Sequence, residues 1–391
     1  MPFAMLMDTA IDYPEIREQV TRLCAGFPGS YWRDLEAGSA YPEAFVKALT
    51  ESGYLAALIP EAFGGAGLPL RAAAVILETI HARGCSAAAC HAQMYTMGTL
   101  LRHGSPSQKE RYLPAIAEGE LRLQAFGVTE PDSGSDTLSL RTRAVRDGDH
   151  FVVTGQKIWT SRARYSDLLL LLVRTTPLED CKKRSDGLTV LLVDLREAEG
   201  QGLEIRPIET MINHQTTELF IDGLKVPAEN VIGEVGRGFR YILDGMNAER
   251  ILLAGEALGD GRYFIERAVD YAKERKVFGR PIGQNQGIQF PLARARVHLD
   301  AADLVARQAA ASFDAGEPCG PAASSAKLLT SEAAWAAAEA CFQTFGGFAF
   351  AKDYDIERKW RECRLFQTAP VSTNMVLAYI AQTVLGLPRA Y

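Results

Sequence analysis

The run Ala144-Val145-Arg146-Asp147-Gly148-Asp149-His150-Phe151-Val152-Val153-Thr154 decides how this chain is assembled. Stretches rich in β-branched and aromatic residues flank Asp147-Gly148-Asp149. An Asp-Gly pair in that setting signals a hairpin, because glycine accepts the positive φ of a tight turn. Runs of the same texture follow at 168–174, 188–194 and 218–221. The spacing of their turns predicts a β-domain over residues 122–232. On either side the apolar period becomes helical. Residues 42–49, 71–82 and 87–101 carry the three-to-four spacing of amphipathic or Ala-rich helices, and the glycine-rich connection at 59–68 reads as a turn. Beyond the β-domain, residues 239–276, 289–315, 321–345 and 371–387 read as four long amphipathic helices with short connections, which favours a bundle. The predicted fold class is α+β: an N-terminal all-α domain (1–121), a middle antiparallel β-domain (122–232) and a C-terminal four-helix bundle (233–391).

Composition narrows the function. With 391 residues, 47% hydrophobic and 23% charged, the chain is an ordinary globular protein large enough for several units. A formal net charge of −6 argues against nucleic acid or an anionic membrane as partner, since both require a basic face. The seven cysteines are odd in number and scattered, with no C-x-x-C pair, so they read as reduced core residues of a cytoplasmic protein. The six histidines lack ligand spacing, and no metal is expected. The start, Met1 to Asp8, has no basic segment before its apolar residues, so no signal peptide is expected. The longest apolar run, 168–173, is far too short for a membrane span.

Two features carry chemistry. On the helix predicted over 239–276, Ile242, Met246, Glu249 and Leu253 fall in one narrow sector, so Glu249 interrupts an apolar stripe. A carboxylate there either meets a cation from a neighbouring helix or, with its pKa raised by desolvation, serves as a general base. The second feature is the segment 126–136, from Phe126 to Asp136. It is dense in hydroxyls and backbone donors that suit a polar ring edge or a pyrophosphate, or that cap one another in a plain loop. No G-x-G-x-x-G follows a strand, and neither a Walker loop nor a G-x-S-x-G elbow occurs. His81 and His91 read as core or capping residues. Residues 211–214 read as a loop against the β-domain, with approach of His214 to a ligand as the alternative, and Arg162, Arg164 and Lys182-Lys183-Arg184 read as solvated cations.

Several separated motifs occur in one order: Thr129-Glu130-Pro131 with Gly134-Ser135-Asp136, then Gly155-Gln156-Lys157-Ile158-Trp159-Thr160-Ser161, then Glu274-Arg275-Lys276-Val277-Phe278-Gly279-Arg280-Pro281-Ile282, then Gln343-Thr344-Phe345-Gly346-Gly347. Through them the chain resembles the acyl-CoA dehydrogenase family of flavoproteins over nearly its whole length. The resemblance implies FAD as cofactor, an acyl-CoA substrate, an electron-transfer flavoprotein as acceptor, and a homotetramer or homodimer. It implies that Phe126, Val128, Thr129, Gly134 and Ser135 hold the flavin ring and pyrophosphate, with Ser135 also near substrate. Trp159 matches the tryptophan against the isoalloxazine, and Ser161 matches the hydroxyl beside flavin N5 and O4. Arg275, Phe278, Gln286, Gln343 and Gly347 match positions that reach the FAD of a neighbouring subunit, and Ser372 and Asn374 match further cofactor positions.

The chain departs from the commonest family pattern at one place. The usual base is the glutamate of a Tyr-Glu-Gly-Thr motif, and the alignment puts Ala369-Pro370-Val371-Ser372 there, with Pro370 at the glutamate. Proline is no base and has no backbone N–H for the thioester oxygen. Some members, including the isovaleryl and long-chain types, resemble this chain in carrying the base directly before an arginine on the helix of Glu249. Glu249 is therefore the expected catalytic residue, with Arg250 as a substrate-side or structural cation. The reaction so implied is α,β-dehydrogenation of an acyl-CoA to the trans-2-enoyl-CoA. The alternatives are a flavin-dependent oxidase or monooxygenase on the same fold, and a non-catalytic acyl-CoA or lipid binder.

Overall fold

The computed structural model describes residues 12–389, and the start of the chain at Met1 to Asp8 lies outside them. Six helices come first: α1 (Pro14–Ala25), α2 (Gly29–Ala37), α3 (Glu43–Glu51), α4 (Leu70–Ala82), α5 (Ala88–His103) and α6 (Pro106–Ala117). The start of α6 shows why they form. Ser105 accepts from the Gln108 N–H at 3.2 Å while the Gln108 side chain accepts from the Ser105 N–H at 2.9 Å, and Pro106 occupies the first helical position. Eight strands follow: β1 (Leu123–Gly127), β2 (Arg143–Asp147), β3 (His150–Ser161), β4 (Leu168–Arg174), β5 (Leu188–Asp194), β6 (Leu203–Pro207), β7 (Thr216–Pro227) and β8 (Val231–Ile232), with the one-turn helix α7 (Leu195–Ala198) between β5 and β6. The C-terminal part holds α8 (Gly238–Glu274), the ribbon β9 (Lys276–Val277) and β10 (Arg280–Pro281), then α9 (Gln286–Asp314), α10 (Gly320–Phe345), α11 (Ile356–Arg364) and α12 (Thr373–Tyr379). Among the described residues no helix is long and apolar enough to cross a membrane.

In space the chain divides into two compact units. Among the described residues, one comprises Gly38–Leu68 and Ala88–Met246; the other comprises those up to Ala37, Pro69–Ala87 and those from Asn247 on. In the first unit the strands run in the order β6-β7-β3-β2-β4-β5-β8, with β1 alongside β4. The predicted hairpin is there: Asp147 pairs with His150, and Gly148 takes φ 61° in the turn. The sheet is antiparallel except where β1 and β2 meet β4. The unbroken apolar run of β4 has a simple cause. Leu168, Leu170 and Leu172 pack into a core with Met97, Leu113 and Ile116, whereas Leu169, Leu171 and Val173 pack on the opposite face with Phe151, Val193 and Leu219. Both faces are covered, so alternation disappears, and each leucine buried this way contributes about 1.5–3 kcal/mol. Strands β1, β6 and β8 are additions to the sequence reading, and β3 and β7 run longer than their apolar runs.

The second unit contains α9, α10 and α8 from Asn247 onward, with shorter helices packed around them. The segment expected as a long helix over 371–387 is shorter. The Ser372 hydroxyl caps α12 by accepting from the Met375 N–H at 3.4 Å, and the helix passes at Ile380 into a π-turn that ends before Gly386. Helix α11 was not expected at all, because its inward positions are charged. Arg358 and Lys359 are buried, and Lys359 Nζ lies 2.7 Å from Asp260 and 2.9 Å from Glu362, while Asp260 receives His81 Nδ1 at 2.8 Å. His81 thus fills core, as expected, but as a member of an ion network. The odd cysteines are all free, and six of them are buried.

This network predicts a pH dependence. Burial favours the neutral form of Glu362, yet Lys359 and Arg358 outweigh it and hold the carboxyl down to about 2. A depressed carboxyl pKa adds stability that is present above its ordinary value of 4.5 and is lost as pH falls through about 2. The gap in Tm between wild type and Glu362→Gln is therefore expected to be full at neutral pH and to close progressively below pH 4.5. A gap of constant size down to pH 2.5 would contradict the network's role.

Candidate functional site

Strand β3 and the loop after β1 build the first part of the site. Between Lys157 and Thr160 the register of β3 on β7 shifts, and within this irregularity Trp159 adopts φ 62°. A bulky residue at positive φ is an outlier that persists only where its surroundings hold it, and such outliers concentrate at functional sites. Here Trp159 is held with 57% of its surface exposed, while Thr160 beside it is buried and its Oγ1 lacks a partner among the described residues. Ser161, half-buried, ends the strand.

The loop from Val128 to Asp136 is fastened to this strand from below. Ile158 N–H donates to the Thr129 carbonyl at 2.9 Å, and Lys157 Nζ donates to the Val128 carbonyl at 3.0 Å and to Glu130 at 2.8 Å. Glu130 also accepts from the backbone N–H groups of Arg141 at 2.6 Å and Thr142 at 2.8 Å. Burial pushes the Lys157 ammonium down to about 8 against the pull of Glu130, and Glu130 is held below the usual carboxylate range, burial being outweighed by Lys157. The motifs around Thr129 and Lys157 are thus two halves of one buried ion pair. Above the pair, Phe126 meets the Tyr95 ring edge-on at 5.8 Å, and Gly134 and Ser135 lie exposed with open space beside Gly134. An exposed aromatic face beside a loop of hydroxyls can seat a flat heterocycle and its polar edge.

On α8 the predicted stripe is present: Ile242 and Leu253 are buried, Met246 is partly buried, and Glu249 is only 9% exposed. Arg250 Nη1 donates to Asn247 Oδ1 at 3.0 Å. Burial lowers the pKa of Arg250, and the Glu249 charge opposes that shift. Lys327 on α10, which acts electrostatically with Arg250, was not singled out from sequence; a lysine within an Ala-rich helix carries no period signal.

A third group gathers where β9, β10 and α9 begin. Tyr271, Arg275, Phe278, Asn285, Phe345 and Gly347 line a concavity of about 910 Å³. Phe278 takes φ 52° in the turn of the ribbon and is 100% exposed, and the Arg275 guanidinium lies 5.4 Å over the Phe348 ring. Gln286 opens α9 and Gln343 sits in the last turn of α10, both exposed. Ser372 caps α12, and Asn374 is exposed on it.

Three minor expectations change. Arg162 is buried, its N–H donating to the Gln215 carbonyl at 2.8 Å from a φ of 61°, whereas Arg164 is exposed as expected. Arg184 is engaged with Asp136 at 2.7 Å instead of standing free. The 211–214 loop, expected against the β-domain, is tied to the segment before α3, with Asn213 donating to the Ala40 carbonyl at 2.9 Å.

Comparison with known proteins places these features in a family. The chain matches the acyl-CoA dehydrogenase N-terminal domain over residues 12–120, the middle domain over 125–224 and the C-terminal domain over 236–385. It is 32% identical over 379 residues to the acyl-CoA dehydrogenase FadE12 of Mycobacterium tuberculosis, covering 96% of each chain. It is 32% identical over 398 residues to the glutaryl-CoA dehydrogenase of Desulfococcus multivorans, covering 100% of each. The solved glutaryl-coenzyme A dehydrogenase in complex with glutaryl-CoA matches with a TM-score of 0.89 at 28% identity, over 100% of this chain and 98% of that one. With all three family domains in order along one chain, this protein belongs to the acyl-CoA dehydrogenase family of FAD-dependent oxidoreductases.

Proposed function

We propose that this chain oxidises an acyl-CoA to its trans-2-enoyl-CoA with Glu249 as the base that takes the α-proton. The observation that carries the reading is a buried carboxylate at Glu249, in an apolar stripe of α8, in a chain whose usual base position holds Pro370. A carboxylate placed among apolar side chains is the group type that abstraction of an α-proton calls for. Pro370 has no N–H to offer the thioester oxygen, and the next backbone donor along the chain is Val371.

FAD fits the residues present: Trp159 offers an exposed ring at a strained φ, the buried Thr160 Oγ1 has no hydrogen-bond partner among the described residues, and Gly134 leaves space beside exposed Ser135. In this reading Phe126, Val128, Thr129, Gly134, Ser135, Trp159 and Ser161 hold it within one subunit. Bound FAD supplies the hydride acceptor. Arg275, Phe278, Gln286, Gln343 and Gly347 reach the FAD of a second copy, with Ser372 and Asn374 as further contacts. A fully exposed Phe278 beside a concavity supports this, as do Phe290, Val297 and Leu304, exposed at seven-residue intervals along α9. The protein then works as a homotetramer or homodimer in the cytoplasm, with an electron-transfer flavoprotein as acceptor. Along the sequence its domains are 1–121, 122–232 and 233–391.

The shared site is tested by Phe278→Ser. Gel filtration and flavin absorbance are expected to report at least about a tenfold fall in retained FAD, because an aromatic anchor at an interface commonly contributes 2 kcal/mol or more. Full flavin content in this variant would remove Phe278 from the site. The reaction is tested by mass spectrometry of the acyl-CoA after turnover with an electron-transfer flavoprotein. A desaturated acyl-CoA supports the dehydrogenase reading, and rapid reoxidation of the reduced protein by O₂ favours an oxidase.

A further inference from the structure

Cys24 and Cys85 meet within the second unit. Val20 and Cys24 are the buried residues of α1, one turn apart on one face, and Cys24 closes that face in the last turn. Helix α4 stops in a Schellman motif. Gly84 takes φ 78°, its N–H donates to the His81 carbonyl at 3.0 Å, and the Cys85 N–H donates to the Ile80 carbonyl at 3.2 Å. That turn lays Cys85 against the end of α1. Its Sγ lies 3.9 Å from the Cys24 carbonyl oxygen and 3.8 Å from that of Phe27, and the two thiols are hydrogen-bonded to each other. Both side chains are buried.

Cations of α11 clamp the same turn. Arg358 Nη2 donates to the Gly84 carbonyl at 2.9 Å, and Lys359 Nζ donates to the Cys85 carbonyl at 3.3 Å. The hydrogen bond from Cys24, against the effect of burial, holds the Cys85 thiol below its usual range, and Trp32, Lys359 and Arg358 act in the same sense. That hydrogen bond, together with burial, pushes the Cys24 thiol up. The pair therefore holds its protons unequally, with Cys85 disposed to be the thiolate and Cys24 to keep its hydrogen. Burial instead pushes the thiols of Cys319, Cys341 and Cys363 up. A thiolate with a second thiol in contact is the arrangement in which a sulfenic acid resolves to a disulfide.

We propose that Cys24 and Cys85 form a modification site for hydrogen peroxide, which closes them to a reversible disulfide. The Cys85 thiolate attacks one peroxide oxygen, the O–O bond breaks, and Cys85 becomes a sulfenic acid. The hydroxide that leaves takes the Cys24 proton as water. The Cys24 thiolate then attacks the Cys85 sulfur, the S–O bond breaks, and a second hydroxide departs, protonated by solvent. The two sulfurs lose two electrons between them, and peroxide is reduced to two waters. Burial of both sulfurs selects for a small neutral oxidant and against bulky thiol reagents. The bond ties α1 to the turn after α4 and constrains the unfolded chain, so the oxidised protein is the more stable form. The site is independent of the reaction proposed above.

The experiment treats the FAD-loaded full chain with equimolar hydrogen peroxide, alkylates the remaining thiols in denaturant, and maps a non-reducing digest by mass spectrometry. The expected result is a linked Cys24–Cys85 peptide, lighter by the two lost hydrogens, with a raised Tm and with both changes reversed by dithiothreitol. Half-buried Cys181, favoured if exposure alone decided, is recovered as an alkylated thiol. In Cys24→Ser, oxidation stops at a sulfenic acid on Cys85. In Cys85→Ser, peroxide consumption falls by at least about tenfold, because Cys24 lacks thiolate character. The wild-type map decides by itself should neither variant fold. Recovery of Cys24 and Cys85 as thiols, whether or not Cys181 is oxidised, or a link that forms only in urea-unfolded protein, would overturn the proposal and leave the pair as core packing.

Discussion

Glu249→Gln is expected to lower turnover of the best acyl-CoA by at least about a thousandfold, within the range attributed to a positioned general base, while FAD content and Tm stay near wild type. Glutamine preserves the shape of the side chain on the buried stripe of α8 and removes only the ability to accept a proton. The rival assignment, in which Glu249 is an ion-pairing residue, predicts the opposite pattern. There Tm falls, because a cation loses its partner, and turnover by the folded fraction persists. Steady-state turnover normalised to bound flavin, with Tm measured on the same preparation, separates the two. Retention of a tenth or more of wild-type turnover would sink the base assignment.

Lys157→Met is expected to destabilise the protein by about 3–5 kcal/mol, the scale on which a buried pair broken from one side leaves its partner charged and unmatched. Glu130 would remain among the N–H groups of Arg141 and Thr142 with its ammonium partner gone. The double variant Lys157→Met with Glu130→Gln removes the orphaned charge and should regain part of the loss. Because the pair fastens the Thr129 loop to the Trp159 strand, FAD affinity should fall in Lys157→Met even where the protein stays folded. Denaturant unfolding measures the first effect and flavin titration the second. A change below 1 kcal/mol would mean that the pair does not hold the loop.

How far the fold was legible depends on whether the deciding interactions are local. The Asp147-Gly148-Asp149 hairpin needs only neighbours in sequence, and α4, α5, α8, α9 and α10 declare themselves through apolar period. Strand β4 could be read because both its faces are apolar, although the run alone does not say that it separates two cores. Helix α11 escaped because its inward positions are Arg358 and Lys359, which are matched there by Asp260 from elsewhere in the chain and by Asp355 and Glu362 of its own segment. No periodicity rule anticipates a charged interior. The site divides in the same way. Glu249 stood out as a local violation of a stripe, and the motif residues stood out by resemblance. The Lys157–Glu130 pair, the positive φ of Trp159 and the complete burial of Lys327 are properties of chain segments brought together, and none leaves a mark on its own stretch of sequence.

The most direct test of the central claim is an anaerobic titration of the purified flavoprotein with a panel of acyl-CoAs, followed by loss of the long-wavelength flavin absorbance. The account predicts stoichiometric bleaching of wild type by at least one member of the panel, release of the matching trans-2-enoyl-CoA, and no bleaching of Glu249→Gln with FAD still bound. Equal bleaching of wild type and Glu249→Gln, or a flavin that no acyl-CoA reduces, would contradict it.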